Sequence, residues 1–132
     1  WTDRKLIGAA FTGGLLHDVG KLLLAANFPE SFGKCPNEMM EVKEFGAGHS
    51  AIGARFLHRW QMPEIVVGAV DQHNRLAQSE ESEMSLADSI FVANAQAHYK
   101  HQTSPSGQSL SEQLAAMKER FGKDAMSSWG FK

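Results

Sequence analysis

The chain has 132 residues and a formal net charge of −2, with 42% hydrophobic and 21% charged residues. This length and apolar content suffice for one domain with a substantial core, and the charge gives no support for broad electrostatic binding to nucleic acid or acidic membranes. No apolar run approaches the roughly 20 residues that span a bilayer. The single cysteine, Cys35, excludes an internal disulfide and a thiolate-rich zinc cluster. These properties favour a cytoplasmic protein.

Apolar and small residues recur at helical spacing from the start of the chain. One helical face would carry Leu6, Ala9, Ala10, Gly13, Gly14 and His17, with Asp3 as the candidate N-cap. We expect Gly20 to end or loosen this helix and "KLLLAANF" to continue as a second helix up to Pro29. The segment "NEMMEVKEFG" predicts a short amphipathic helix.

Helical spacing is clearer in the rest of the chain. "HSAIGARFLHRW" has one apolar face that consists of Ile52, Phe56, Leu57 and Trp60. "PEIVVGAVDQHN" predicts a buried helix that carries His73 near its C-terminal end. The polar segment "RLAQSEESEM" predicts a loop, and "SLADSIFVANAQAHYK" then resumes the helical pattern.

After the turn predicted at "TSPSGQS", "SLSEQLAAMKERFG" predicts a last helix over residues 109–121. It would begin with a capping box from Ser109 to Glu112 and carry an apolar stripe of Leu110, Leu114, Met117 and Phe121. We find no repeat and no convincing strand, so the prediction is an all-α domain.

Candidate ligand residues lie where apolar helix faces meet helix ends. His17 and Asp18 are adjacent and can both reach one ion there, and their chemistry suits Mn, Fe, Zn or Ni better than Ca. Alternatively, Asp18 pairs with Lys21 while His17 packs in the core, which the local pattern alone favours. His49 opens a helix and His73 ends one. Each could equally be a polar residue near a helix end.

Three segments taken together indicate a protein family more specifically than any one of them alone. They are "GLLHDVGKLLLAANFPE", "EFGAGHSAIGARFLHRWQMPEIVVGAVDQHN" and "SLADSIFVANAQA". In this order they resemble the HD superfamily, and most closely the HDOD-type signalling domains that are related to the HD-GYP phosphodiesterases. The resemblance implies a helical bundle whose helices converge on a central cleft. In catalytic relatives that cleft holds metal ions that activate water for phosphoester hydrolysis.

The resemblance also implies roles for single residues. By position, His17 and Asp18 match the HD pair, His49 matches the histidine of His-xxx-Gly, and His73 matches the first of a usual His-His pair. Lys21 matches a lysine that could face a phosphate. These positions give a metal site of His17, Asp18, His49 and His73, with no catalytic residue assigned.

Two departures from the pattern weaken a two-metal site. Asn74 replaces the second histidine of the pair, and Asn94 stands where active relatives carry an aspartate. Nothing after His73 resembles the Asp-Gly-x-Gly-Tyr-Pro segment associated with cyclic-di-GMP hydrolysis. A neutral amide is a poor transition-metal ligand, so we expect either no cofactor or one weakly held Mn, Fe, Ni or Zn ion.

The two asparagines therefore favour a non-catalytic regulatory module in signal transduction, which binds a signalling protein partner or a small ligand. The alternatives are a metal-dependent phosphohydrolase acting on a nucleotide or cyclic dinucleotide, and a site that binds a nucleotide without cleaving it. The resemblance suggests a bacterial cytoplasmic protein. We expect one domain over residues 1–132 that lacks an N-terminal helical part, with a C-terminal helix and tail over 109–132.

Overall fold

The structure is a computed structural model that describes residues 4–75, 85–101, 109–128 and 131. These ranges contain helices and no strand, which confirms the prediction of an all-α fold. The helices are α1 (Arg4–Leu16), α2 (Val19–Asn27), α3 (Pro29–Phe32), α4 (Glu38–Phe45), α5 (His49–Arg59), α6 (Glu64–Gln72), α7 (Leu86–His101) and α8 (Leu110–Ser128). The candidate N-cap Asp3 and most of the two predicted linkers lie outside the described residues.

The junction between α1 and α2 differs from the prediction. Helix α1 already ends at Leu16, and Gly20 lies in the first turn of α2, so the expectation that Gly20 ends or loosens the first helix is wrong. A Cβ atom at this position would overlap the backbone carbonyl of His49. Gly20 therefore allows α2 to lie directly against the start of α5.

Helix α4 begins and ends where its sequence predicts. The Asn37 side chain accepts a hydrogen bond from the Met40 backbone N–H, and Gly46 adopts a left-handed conformation with φ of 79°. These are a typical N-cap and a typical C-terminal glycine. The two caps fix the length of α4, and this matters because its buried face supplies two carboxylates to the candidate site.

Helix α5 lies between α2 and α6 and packs against both. Its apolar contacts include Leu57, which is buried with Val66 and Val70 of α6. Trp60 was expected on the same face, but it lies beyond the end of α5 and is 71% exposed. The chain turns there, with Gln61 at a φ of 57°, and the Trp60 ring lies against Phe56 at a centroid distance of 5.6 Å.

Helices α7 and α8 build a further part of the core. Met117 is fully buried beside Phe91, Val92 and Phe131. The capping box is confirmed, since Ser109 N–H donates to Glu112 Oε2 at 3.0 Å and Glu112 N–H donates to Ser109 Oγ at 3.2 Å. The first helical segment of α8 ends at Phe121 as predicted, because Gly122 has the non-helical angles φ 81° and ψ 163°, and a second segment then continues to Ser128.

Candidate metal centre

Three parts of the chain meet at one end of the bundle. His17 and Asp18 form the short junction between α1 and α2, His49 is the first residue of α5, and His73 directly follows α6. The close packing of α2 on α5 depends on small residues, since Gly53 of α5 also faces the backbone of Gly20. The fold thus brings together side chains that are far apart in sequence.

The Asp18 carboxylate is the common neighbour of these residues. Its Oδ1 atom lies 3.4 Å from His49 Nε2 and 3.5 Å from His73 Nε2. Its Oδ2 atom lies 3.4 Å from His17 Nε2 and 2.9 Å from Lys21 Nζ. We call His17, Asp18, Lys21 and His73 the Asp18 centre. Its two histidines and Asp18 offer three ligand atoms that all lie within 4.8 Å of one another.

Each imidazole ring turns its Nε2 atom toward Asp18, and the hydrogen bond at the opposite nitrogen, Nδ1, assigns its tautomer. His17 Nδ1 contacts the Gly14 carbonyl at 2.6 Å, His73 Nδ1 contacts the Val70 carbonyl at 2.6 Å, and His49 Nδ1 contacts Glu41 Oε2 at 2.7 Å. Carbonyl and carboxylate oxygens only accept hydrogen bonds, so each Nδ1 carries a proton and donates it. In the neutral imidazole each Nε2 then presents a lone pair, as metal-binding histidines do.

Two buried atoms of the Asp18 centre have no hydrogen-bond partner, namely Asp18 Oδ1 and His73 Nε2. Both are acceptors, and at 3.5 Å they face each other without a proton between them. Such an arrangement is unfavourable unless a cation or a proton lies there. His73 is fully buried, whereas the His17 and Asp18 side chains are 24% and 36% exposed, so an ion can enter from their side. The donors and the two unpartnered atoms fit a divalent transition-metal ion.

The charge state of Asp18 also suits cation binding. Burial alone would raise the pKa of its carboxyl, but the adjacent His73, Lys21 and His17 outweigh burial and hold the pKa well below its usual range. His73 lies too far away to form a good hydrogen bond with Asp18, so we regard the 2.9 Å contact with Lys21 as the firmest of these causes. Asp18 is therefore ionised at neutral pH.

The side chains around Asn74, next to the Asp18 centre, are linked to one another by hydrogen bonds. The Asn74 amide donates to Glu38 Oε2 at 2.9 Å and to His49 Nε2 at 3.0 Å, and its oxygen accepts from Asn94 Nδ2 at 3.2 Å. Glu41 Oε2 accepts from both the backbone N–H and the ring of His49, each at 2.7 Å. We call these five residues the Asn74 network.

The partners of Asn74 determine the orientation of its amide. The reverse orientation would place its oxygen against a carboxylate oxygen and a nitrogen lone pair. Burial acts to raise the pKa of Glu38, but its hydrogen bonds with Ser50 and Asn74 and the nearby His49 outweigh burial and lower it. Glu38 is thus an ionised acceptor, and a carboxylate at position 74 would repel it.

The structure brings all the sequence-predicted site residues together, and it adds two that the sequence analysis missed. His17, Asp18 and His73 surround the candidate ion position, while His49 faces both Asp18 and the Asn74 amide. That His49 is a metal ligand stays a prediction. Lys21 pairs with Asp18, as the alternative interpretation had it. Glu38 and Glu41 of α4 were missed. The only sequence signal was their i, i+3 spacing on one helix face, which does not distinguish a site from a solvated surface.

Comparisons with known proteins agree with the sequence pattern. The model of the family described as the HDOD domain matches residues 2–76. A Treponema pallidum (strain Nichols) protein, described as an uncharacterized protein, is 28% identical over 101 residues. The match covers 70% of this chain but 20% of that protein, so the chain spans about a fifth of its relative's length. No solved structure matches. Within the described ranges, no helix is long and apolar enough to cross a membrane.

Proposed function

Because the chain belongs to the HDOD domain family, we propose that it is a non-catalytic regulatory module with a degenerate HD-type metal site. The site would hold at most one divalent transition-metal ion. The module would act in signal transduction by binding a protein partner or a small ligand. A bacterial cytoplasmic setting is part of the same proposal and follows from the family resemblance.

The single observation that carries this proposal is the position of the Asn74 amide. It donates to His49 Nε2 at 3.0 Å and accepts from Asn94 at 3.2 Å. By the family resemblance, Asn74 and Asn94 stand where catalytic relatives would supply metal ligands. Here the two asparagines hydrogen-bond to each other, and Asn74 also donates to His49. A second ion would have to displace a buried and fully hydrogen-bonded amide, which is costly.

The remaining ligand set supports binding of one ion. His17, Asp18 and His73 would hold it, and His49 would join them only if Asn74 released its Nε2 atom. A bound divalent ion in such a site polarises water or a phosphoryl oxygen. The chain's own contribution is to orient the three imidazoles through their Nδ1 hydrogen bonds and to keep Asp18 ionised.

A metal-dependent phosphohydrolase remains the second candidate because the Asp18 centre is open to solvent and carries a lysine. Lys21 is 30% exposed on its side chain and could contact an anionic substrate such as a nucleotide. Against this candidate, the described residues around Asp18 supply three protein ligands and no second carboxylate that contacts it. One ion in this setting lacks the two-metal clamp on attacking and leaving oxygens.

The test combines elemental analysis with a hydrolysis assay. We would purify the wild type and the Asp18→Asn variant, measure bound Mn, Fe, Ni and Zn, and assay both with bis(p-nitrophenyl) phosphate and cyclic di-GMP in the presence of Mn²⁺. We expect no more than one ion per wild-type chain, its loss in the variant, and no metal-dependent hydrolysis. Hydrolysis that requires Mn²⁺ and disappears in Asp18→Asn would establish the phosphohydrolase instead.

A further inference from the structure

Lys21 is the one residue of the Asp18 centre that brings a positive charge of its own. Its ammonium group lies 2.9 Å from Asp18 Oδ2 and donates a hydrogen bond to it. It stands three residues after Asp18, within the first turn of α2, where the helix itself holds it near the carboxylate. The other Asp18 oxygen, Oδ1, has no such partner.

The two lobes of the Asp18 carboxylate are therefore unequal. The Oδ2 lobe, which faces His17, is already neutralised by an ammonium group. The Oδ1 lobe faces the unpartnered Nε2 of His73 and the Nε2 of His49, which accepts from Asn74. An ion shared between both lobes would lie close to the Lys21 charge. In a site that is partly exposed, this like-charge repulsion is weakened but not removed by solvent.

We propose that Lys21 is a built-in competitor for divalent cations at Asp18. Its ammonium group occupies the Oδ2 lobe in the absence of metal, restricts an incoming ion to the Oδ1 lobe, and lowers the affinity of the whole centre for that ion. The weak, single-ion binding proposed above then arises from Lys21 as well as from Asn74 and Asn94. This inference rests on the proposed function, because it requires that the Asp18 centre bind a metal ion.

The inference is tested by replacing Lys21 with side chains of similar length. Lys21→Met removes the charge and keeps the aliphatic stem, whereas Lys21→Arg keeps the charge. Lys118→Met, at an exposed position on α8, removes the same charge away from the site. We would measure Mn²⁺ dissociation constants from the electron paramagnetic resonance signal of the free ion, and Zn²⁺ constants by competition with a chromogenic chelator.

We expect Lys21→Met to bind both ions at least about tenfold more tightly than the wild type. We expect Lys21→Arg and Lys118→Met to stay within about threefold of it. The gain in Lys21→Met should shrink when the salt concentration is raised from 0.05 M to about 1 M, because salt screens repulsion between partly exposed charges. A merely structural role of Lys21 would produce no such salt dependence.

Unchanged or weaker binding in Lys21→Met would overturn the inference, since it would mean that Lys21 is neutral toward the ion or orients Asp18 for it. Lys21→Gln serves as a second neutral variant, and far-UV circular dichroism confirms that each variant is folded. If no protein, including the wild type, bound Mn²⁺ or Zn²⁺, this inference and the single-ion site would both be wrong. Metal-dependent hydrolysis by the wild type would instead contradict only the non-catalytic function.

Discussion

The Asp18 centre and the Asn74 network are adjacent, but they differ in how their polar atoms are satisfied. In the Asn74 network the amide uses both of its N–H groups and its oxygen, and Glu41 accepts two hydrogen bonds from His49. In the Asp18 centre, Asp18 Oδ1 and His73 Nε2 are buried without a partner. Buried polar groups are usually paired, so an unpaired set indicates where a ligand would bind.

This difference separates two roles for residues of the same chemical type. His49, the histidine of the network, is hydrogen-bonded at both ring nitrogens, at Nδ1 by Glu41 and at Nε2 by Asn74. His73 is hydrogen-bonded at Nδ1 by the Val70 carbonyl, and its Nε2 has no partner. We infer that the network holds the end of the bundle together and that the Asp18 centre binds ligands. Substitutions in the network should lower stability, and substitutions of the ligand residues His17, Asp18 and His73 should lower cation binding.

The largest loss of stability is expected from Glu41→Ala. Glu41 is 2% exposed and pairs with His49, which is fully buried, so the variant leaves a buried imidazole and a backbone N–H without their acceptor. We expect the free energy of unfolding in urea to fall by about 2–6 kcal/mol, because each of the two unsatisfied buried donors costs about 1–3 kcal/mol. Glu44→Ala removes an exposed glutamate from the same helix and should change it by less than about 0.5 kcal/mol. Equal effects of the two variants would mean that the Glu41–His49 pair is not structural.

A smaller loss is expected when the contact between α2 and α5 is disturbed. In Gly20→Ala the added Cβ would overlap the His49 carbonyl, so the helices must move apart. We expect a loss of about 2–3 kcal/mol, together with weaker Mn²⁺ binding, because Asp18 moves with α2. Gly8→Ala places the same methyl group on α1 where nothing lies within 4 Å, and should stabilise the protein by about 0.5–1 kcal/mol. A neutral Gly20→Ala in thermal and urea unfolding would contradict the close packing.

Features that depend on a few neighbouring residues could be predicted from the sequence. Local patterns predict the capping box at Ser109, the helix α4 that ends at Phe45, and the position of His73 directly after a buried helix. The resemblance then placed His17, Asp18 and His73 in one cleft. Local hydrogen bonding and helical periodicity contain this information because their partners lie within four residues.

Features that depend on distant partners could not be predicted. Gly20 has the sequence signature of a helix end, and only the His49 carbonyl packed against it explains the glycine. The i, i+3 pair of Glu38 and Glu41 looks like any solvated helix face until α5 covers it. The orientation of the Asn74 amide is set by partners 20 to 36 residues away. Such contacts leave no periodic signal in a single sequence.

An intermediate effect is expected from Asn74→Asp, which changes one amide into a carboxylate at constant shape. The new oxygen would face Glu38 Oε2 and His49 Nε2, both acceptors, in place of a donor. We expect a loss of about 2 kcal/mol in the free energy of unfolding, measured in urea at neutral pH. Adding Glu38→Gln supplies a donor again, so the double variant should recover part of the loss. Purely additive losses would show that the two side chains are not coupled.

The smallest loss of stability, but the largest loss of binding, is expected from Asp18→Asn. The Asp18 side chain is 36% exposed, and the new amide can donate toward His73 Nε2, so the free energy of unfolding should change by less than about 1 kcal/mol. Mn²⁺ affinity should fall by more than about 100-fold, because an ionised ligand is replaced by a neutral one. Asp71→Asn removes a carboxylate of similar exposure, 40%, that pairs with Arg75, and should leave Mn²⁺ binding nearly unchanged. If Asp18→Asn instead strongly lowered the free energy of unfolding while the folded variant retained its Mn²⁺ affinity, the roles of the two regions would be reversed, since Asp18 would be stabilising the fold and the ion would bind elsewhere.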